Sequence, residues 1–288
     1  MKKTKCKIGS LELRTPLILG SCDLFNNVES IRKNYKDLVG AIVLKTTSRE
    51  PREGHKKPHM AKFGDNLLVA SGNANPGIDA MCKIVRELKD IPLIGSVMEP
   101  SLAKEYAEAG AIAVELNLSC PNLEEDIPAQ HPEEVFEAVK KAKSLCDVPI
   151  IAKLTGWNCN LRQTAKAAEE AGAEAIVVSN LFPGMGFYTG LVEQEGAYKI
   201  GEPLLGRGYG AYTGKAFLSG VLLMIQRLRK EIKIPIIATG GCCNDLDSIV
   251  QTFMSGAVAI ETVTPLYQGK DPSKLYREYL EWREKNDI

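Results

Sequence analysis

The stretch ELNLSCPN, residues 115–122, sets Cys120 between the amides of Asn117 and Asn122 at the end of an apolar, alternating run. A thiol has a reference pKa of about 8.5, close enough to neutrality for surrounding donors to turn it into a proton acceptor. Pro121 limits Cys120 to extended backbone, and the flanking amides are expected to grip a ligand rather than each other. Two lysines hold comparable positions: Lys45 closes AIVLKT and Lys153 lies near the end of PIIAKLT. Lysines converging with asparagines favour a bound anion or an electron-rich ring. Each group also has a plain structural alternative, a packed thiol or a solvated surface cation. The elements that carry them have to decide.

Short apolar runs rich in β-formers alternate with amphipathic stretches from end to end. The runs are PLILGSC (16–22), AIVLKT (41–46), PLIGSV (92–97), AIAVELNL (111–118), PIIAKLT (149–155), AIVVSN (175–180), PIIATGG (235–241) and AVAIETV (257–263). Eight strands, each followed by a helix, predict a parallel sheet closed into an α/β (β/α)8 TIM barrel, a single domain over residues 1–288. The repeated AGA or SGA before the fourth, sixth and eighth strands is a helix-ending turn, with Gly just past the helix C-terminus. Two connections on the C-terminal side are long, residues 47–77 and 181–213. The second is rich in Gly and aromatics, which suggests a small β-excursion over the barrel mouth.

Position now gives the reactive residues their weight, because barrel enzymes build their sites at the C-terminal ends of the strands. Lys45, Asn117 to Asn122, Lys153, Asn180, Gly240–Gly241 and Thr264 all fall there. The turn after the seventh strand, TGG leading into DLDS, and the VTP turn after the eighth are placed to offer backbone N–H groups to a phosphate. Gly240 and Gly241 let the backbone approach closely, although an ordinary tight turn reads the same way.

Composition excludes some classes. Lysine plus arginine equals aspartate plus glutamate at 36 each, so net charge points to neither nucleic acid nor an anionic membrane. The basic start MKKTKCKIGS leads into no apolar run long enough for a signal peptide or a span, which makes a cytoplasmic protein the expectation. The eight cysteines show no CxxC and no zinc spacing. The adjacent Cys242 and Cys243 read as small residues in a turn.

These residues resemble the dihydroorotate dehydrogenase family, flavin mononucleotide (FMN) enzymes on this barrel, over nearly the whole chain. The most specific element is ELNLSCPN, which is similar to the segment where that family carries its catalytic base, a Cys or, in membrane-associated members, a Ser. LKTTSREPREGHKKP, NANPGI, IIAKLT, GAYTGKA and IPIIATGG…GAVAI resemble further family segments in order. Carried over by position, the resemblance implies FMN held by Gly20, Ser21, Lys45, Thr46, Asn117, Lys153, Gly214, Gly240, Gly241 and Thr264. Lys153 would face the N1/O2 side of the flavin. It implies substrate contacts from Lys45, Asn73, Asn117, Ser119, Asn122 and Asn180, with Cys120 as the base. The reaction implied is the interconversion of a C–C single and double bond beside a carbonyl, as in dihydroorotate/orotate or a related ring. A homodimer is implied, with an iron–sulfur/FAD electron-transfer subunit as a possible partner, since this chain has no cysteine cluster of its own.

The departures concern the substrate. Val69 or Ala70 stands where the family carries a pyrimidine-binding Asn, and Leu181 stands where it carries a hydroxyl. Cys22 and Val263 replace glycines of the first and eighth strand turns, and Asn73 is the candidate to compensate. Two further readings stay open: a flavin-independent phosphate-binding lyase or isomerase using an active-site Lys, and a flavin-binding homologue without catalysis.

Overall fold

The structure, a computed structural model, describes residues 5–120, 128–157, 159–191 and 198–287. Eight parallel strands close a barrel: β1 (Leu17–Leu19), β2 (Ala41–Val43), β3 (Leu93–Val97), β4 (Ala113–Asn117), β5 (Ile150–Lys153), β6 (Ala175–Val178), β7 (Ile236–Thr239) and β8 (Ala259–Thr262). Each pairs with its neighbours in sequence, and β8 closes on β1 through the register Ile260↔Leu17. All eight anticipated strands are present, and the closed parallel barrel with helices outside is the α/β (β/α)8 fold expected of them.

Strand periodicity sorts the barrel into two layers. Leu17, Leu19, Ile42, Val114, Leu116, Ile150, Ala152 and Ile176 point to the helices and join the main core. The alternate residues, Ile18, Ala41, Val43, Ile94, Ala113, Ile151, Val177, Ile237 and Ala259, fill the interior. An N-terminal hairpin, Cys6–Ile8 with Leu11–Leu13, packs its Ile8, Leu11 and Leu13 into that interior layer. Its strands, three residues each, are too short to show a period in the sequence.

The outer helices relevant here are α1 (Val28–Asn34), α2 (Ile78–Glu87), α3 (Ala103–Ala109), α4 (Pro132–Leu145), α5 (Leu161–Glu170), α6 (Leu218–Leu228) and α7 (Leu246–Met254). The glycines of the repeated turns, Gly110, Gly172 and Gly256, have φ of +102°, +97° and +100°, the left-handed backbone that stops α3, α5 and α7. Among the described residues no helix is long and apolar enough to cross a membrane.

The two long connections meet. Met60–Phe63 and Asn66–Val69 form a hairpin, and the second of these strands pairs with Gly210–Gly214, which pairs in turn with Phe182–Gly184. The result is one four-stranded antiparallel sheet shared between segments about as far apart in the chain as β2 and β6. Phe182 packs edge-on against Phe217, the ring centroids 4.4 Å apart, and ties this sheet to the start of α6.

Candidate active site

The interior row of each strand continues upward into the site. Two residues beyond Val43 is Lys45, two beyond Ala113 is Glu115 and then Asn117, two beyond Ile151 is Lys153, and two beyond Ala259 is Glu261. The barrel interior is therefore apolar at its base and charged at its C-terminal mouth, with no break in side-chain alternation. Lys45, Glu115, Lys153 and Glu261 are all buried, a state charged residues rarely reach unless paired.

A cavity opens at this mouth. Lys45, Asn117, Cys120, Lys153 and Asn180 line it from the barrel, Gly240, Gly241 and Thr264 from the last two turns, and Leu67, Val69 and Thr213 from the four-stranded sheet. Ser21 and Asn73 line it as well. Of the anticipated site residues, Gly20, Thr46, Ser119 and Gly214 do not reach its surface. Asn122 lies outside the described residues.

A chain of hydrogen bonds links the strand ends. Asn117 donates through Nδ2 to Thr46 Oγ1 at 3.1 Å. Thr46 also shares hydroxyl bonds with Ser96 at 2.9 Å and Ser21 at 3.2 Å, and its backbone N–H donates to Ser21 Oγ at 2.9 Å. Asn180 donates to Asn117 Oδ1 at 3.0 Å and to Ser119 Oγ at 3.1 Å, while Ser119 Oγ donates to the Lys153 carbonyl at 2.9 Å. Of the two amides flanking Cys120, Asn122 lies outside the described residues and Asn117 has a second N–H beyond the one given to Thr46, while both amide hydrogens of Asn180 go to protein partners. Thr46 and Ser119 sit behind the cavity wall as parts of the same network.

Lys153 is held between two carboxylates. Its Nζ makes a very short contact to Glu261 Oε1 and lies 3.4 Å from Glu115 Oε1. Burial by itself would lower the ammonium pKa, but Glu115 and Glu261 together raise it above the ordinary lysine value. Glu115 behaves in the opposite sense for a carboxylate. Burial first, and then the Glu261 charge, push it well above its usual range. Gly20 belongs to this arrangement: a Cβ there would come within 2.8 Å of Glu261 Oε1. Its smallness makes room for that carboxylate.

Lys45 is paired too. Its Nζ lies 2.7 Å from Asp23 Oδ1 and donates to Ser71 Oγ at 3.4 Å. Asp23, Ser71, Glu115, Glu261 and Tyr267 were not singled out from the sequence. For Glu115 and Glu261 a signal existed, an acid in the interior row of an otherwise apolar strand. For Asp23, in a turn, there was none.

Two thiols, Cys22 and Cys120, line the cavity. Burial pushes Cys22 up to about 12, which removes it as a base near neutrality. Cys242 is pushed up to about 12 by burial as well, in keeping with small residues filling a turn. Gly240 and Gly241 have φ of +97° and +79°. A Cβ on Gly240 would strike the Phe217 ring at 2.5 Å, and one on Gly241 the Gly214 carbonyl at 2.6 Å. Asn244 donates to the Gly241 carbonyl at 3.0 Å, and a capping box at Asp245 and Ser248 starts α7 directly afterwards. Only glycine fits this turn, and the bare backbone it leaves on the cavity wall suits a phosphate.

A (β/α)8 barrel whose mouth gathers a thiol, two buried lysines and a double-glycine turn around one cavity belongs to the barrel enzymes. A family model described as dihydroorotate dehydrogenase matches residues 3–279, and the chain belongs to that family, as oxidoreductases acting on CH–CH groups. The chain is 31% identical over 278 residues to a protein of Methanothermobacter thermautotrophicus named "Dihydroorotate dehydrogenase B (NAD(+)), catalytic subunit", covering 92% of this chain and 88% of the relative. It is 30% identical over 275 residues to "Dihydroorotate dehydrogenase A (fumarate)" of Lactobacillus helveticus, covering 90% and 86%. Among solved structures, a dihydroorotate dehydrogenase of Eimeria tenella in complex with ferulenol superposes with a TM-score of 0.77 over 97% of this chain and 84% of that one. At 16% identity that likeness speaks for the fold.

Proposed function

We propose that the protein is an FMN-dependent oxidoreductase that interconverts a C–C single and double bond beside a carbonyl in a cyclic substrate, dihydroorotate/orotate or a related ring. The observation that carries this reading is the convergence of Cys120, Asn117 and Lys45 with Lys153 and the Gly240–Gly241 turn on one cavity. FMN fits the donors present: the Gly240–Gly241 and Val263–Thr264 turns for its phosphate, and Lys153 for the electron-rich edge of its ring. When bound it supplies a hydride acceptor. Cys120 then takes the proton from the carbon adjacent to the one that loses hydride. Asn117 orients the ring through its remaining N–H, and Asn180 and Ser119 hold Asn117 and the Lys153 backbone in place. Leu67 and Val69, from the four-stranded sheet, exclude water over the reacting face.

A lysine lyase or isomerase finds less support. Lys153, kept protonated between two carboxylates, is a poor Schiff-base nucleophile, and Lys45 is engaged with Asp23. The proposed setting is the cytoplasm, as a homodimer, with electrons leaving either to a small acceptor or through an iron–sulfur/FAD subunit. The relatives' names mention fumarate for one and NAD(+), with a catalytic subunit, for the other.

The test is anaerobic titration of the purified, FMN-loaded protein with dihydroorotate, then with other dihydropyrimidines and cyclic enones, following the flavin absorbance. Bleaching by any of them supports the reading. Failure to bind FMN, or bound FMN that none of them bleaches, overturns it.

A further inference from the structure

The charges facing the cavity cancel in pairs. Among the described residues its cations are Lys45 and Lys153, and its acids are Asp23 and Glu261. Lys45 Nζ sits 2.7 Å from Asp23 Oδ1, and Lys153 contacts Glu261. Glu115, behind Lys153, adds a third carboxyl to that end. No arginine lines the cavity, and residues 121–127 and 192–197 contain neither lysine nor arginine. The Gly240–Gly241 turn and the Val263–Thr264 turn, after the last two strands, also line the cavity.

The remaining wall is apolar where a charged substituent would need partners. Val69 and Leu181 both line the cavity, accompanied by Leu67. Leu181 N–H is already given to Asn180 Oδ1 at 2.9 Å. A substituent carrying full negative charge, placed against Lys45, would face the Asp23 carboxylate across the same ammonium. Placed against the Val69 or Leu181 side chain, it would lose hydration with no donor from either side chain in return.

We propose that the ring this cavity selects carries no carboxylate: its substrate class is a neutral cyclic amide or imide, with Asp23 as the residue that sets the preference. This rests on the functional reading above and narrows it. The groups left for recognition are the second N–H of Asn117, Asn73 and the Lys45–Asp23 pair, which as a unit offers both a donor and an acceptor. That combination matches an amide edge, an N–H beside a C=O, better than it matches an anion.

Uracil and orotate differ only by the ring carboxylate, so they test the proposal directly. Calorimetric titration of the FMN-loaded protein at pH 7 should show uracil binding at least about tenfold tighter than orotate, one charge mismatch being worth at least that much. Asp23→Asn should narrow the gap by tightening orotate, and Asp23→Ser should do the same by a change of different shape. Orotate binding as tightly as uracil or tighter in the unmodified protein overturns the proposal, as does failure of both rings to bind. A gap unchanged in both variants removes Asp23 from it. Failure of the functional reading looks different, since it shows as absent FMN uptake or as flavin that no ring reduces, whichever ligand binds better.

Discussion

Asn180 donates to Asn117 Oδ1 at 3.0 Å and so joins the end of β6 to the end of β4 across 63 residues of chain. With its second bond, to Ser119 Oγ, it fixes the wall that carries Cys120 without having an amide hydrogen left for a ligand. Asn180→Leu keeps the volume and removes both donors. Because buried acceptors are then left without partners, urea denaturation should show a loss of about 1–3 kcal/mol. kcat/KM should fall mainly through a raised KM. Unchanged stability would mean that the network is not what holds the wall.

Glu115 gives a pH dependence of definite sign. Its folded pKa lies above the ordinary 4.5, so between 4.5 and the folded value the native state holds a proton that the unfolded chain has lost. Stability from this group is complete below pH 4.5 and declines as pH rises through the folded pKa, by up to about 1.4 kcal/mol per pH unit inside the window. Glu115→Gln removes the titration while keeping the shape. The variant should match the unmodified protein near pH 4 and exceed it near pH 8. A stability difference between the two that does not vary with pH would count against a raised Glu115 pKa.

Lys153 separates two duties that activity alone would merge. Replacing it with Met leaves Glu261 buried without its counter-charge, which should cost about 3–5 kcal/mol in the flavin-free protein at neutral pH. Lys153→Met combined with Glu261→Gln should recover most of that loss and yet bind FMN more weakly than the unmodified protein. Equal FMN affinity in the double variant would leave Lys153 with a structural role only.

These groups differ in how far they could be read from sequence, and for a physical reason. The strands, the left-handed glycines of the AGA turns and the strand-end position of Cys120 are local, set by a period of two or by one residue's allowed backbone. Glu115 and Glu261 were legible in principle, since the interior row that starts at Ala113 and Ala259 runs straight into them. The Asp23–Lys45 pair was not, because a turn has no period to say where its side chain points. The pairing of Asn66–Val69 with Gly210–Gly214 was also hidden: the register Val69↔Ala211 depends on two segments meeting over a barrel that first has to close. That pairing places Val69 and Leu67 on the cavity wall.

Cys120 provides the decisive chemical test, because the cavity holds a second thiol for comparison. If Cys120 is the base, Cys120→Ala should keep its flavin and lose about 100-fold or more in turnover. Cys22→Ala should cost far less, since burial has taken that thiol up to about 12 and out of use near neutrality. Cys120→Ser substitutes a hydroxyl that is harder to ionise. Its turnover should be low at pH 7 and climb steadily toward alkaline pH, where the unmodified enzyme has already levelled off. Stopped-flow measurement of flavin reduction across pH 6–10 separates the three variants, because it isolates the step in which carbon loses its proton. Full activity in Cys120→Ala would transfer the base to another residue, and a shifted pH profile in Cys22→Ala would show which thiol had been misassigned.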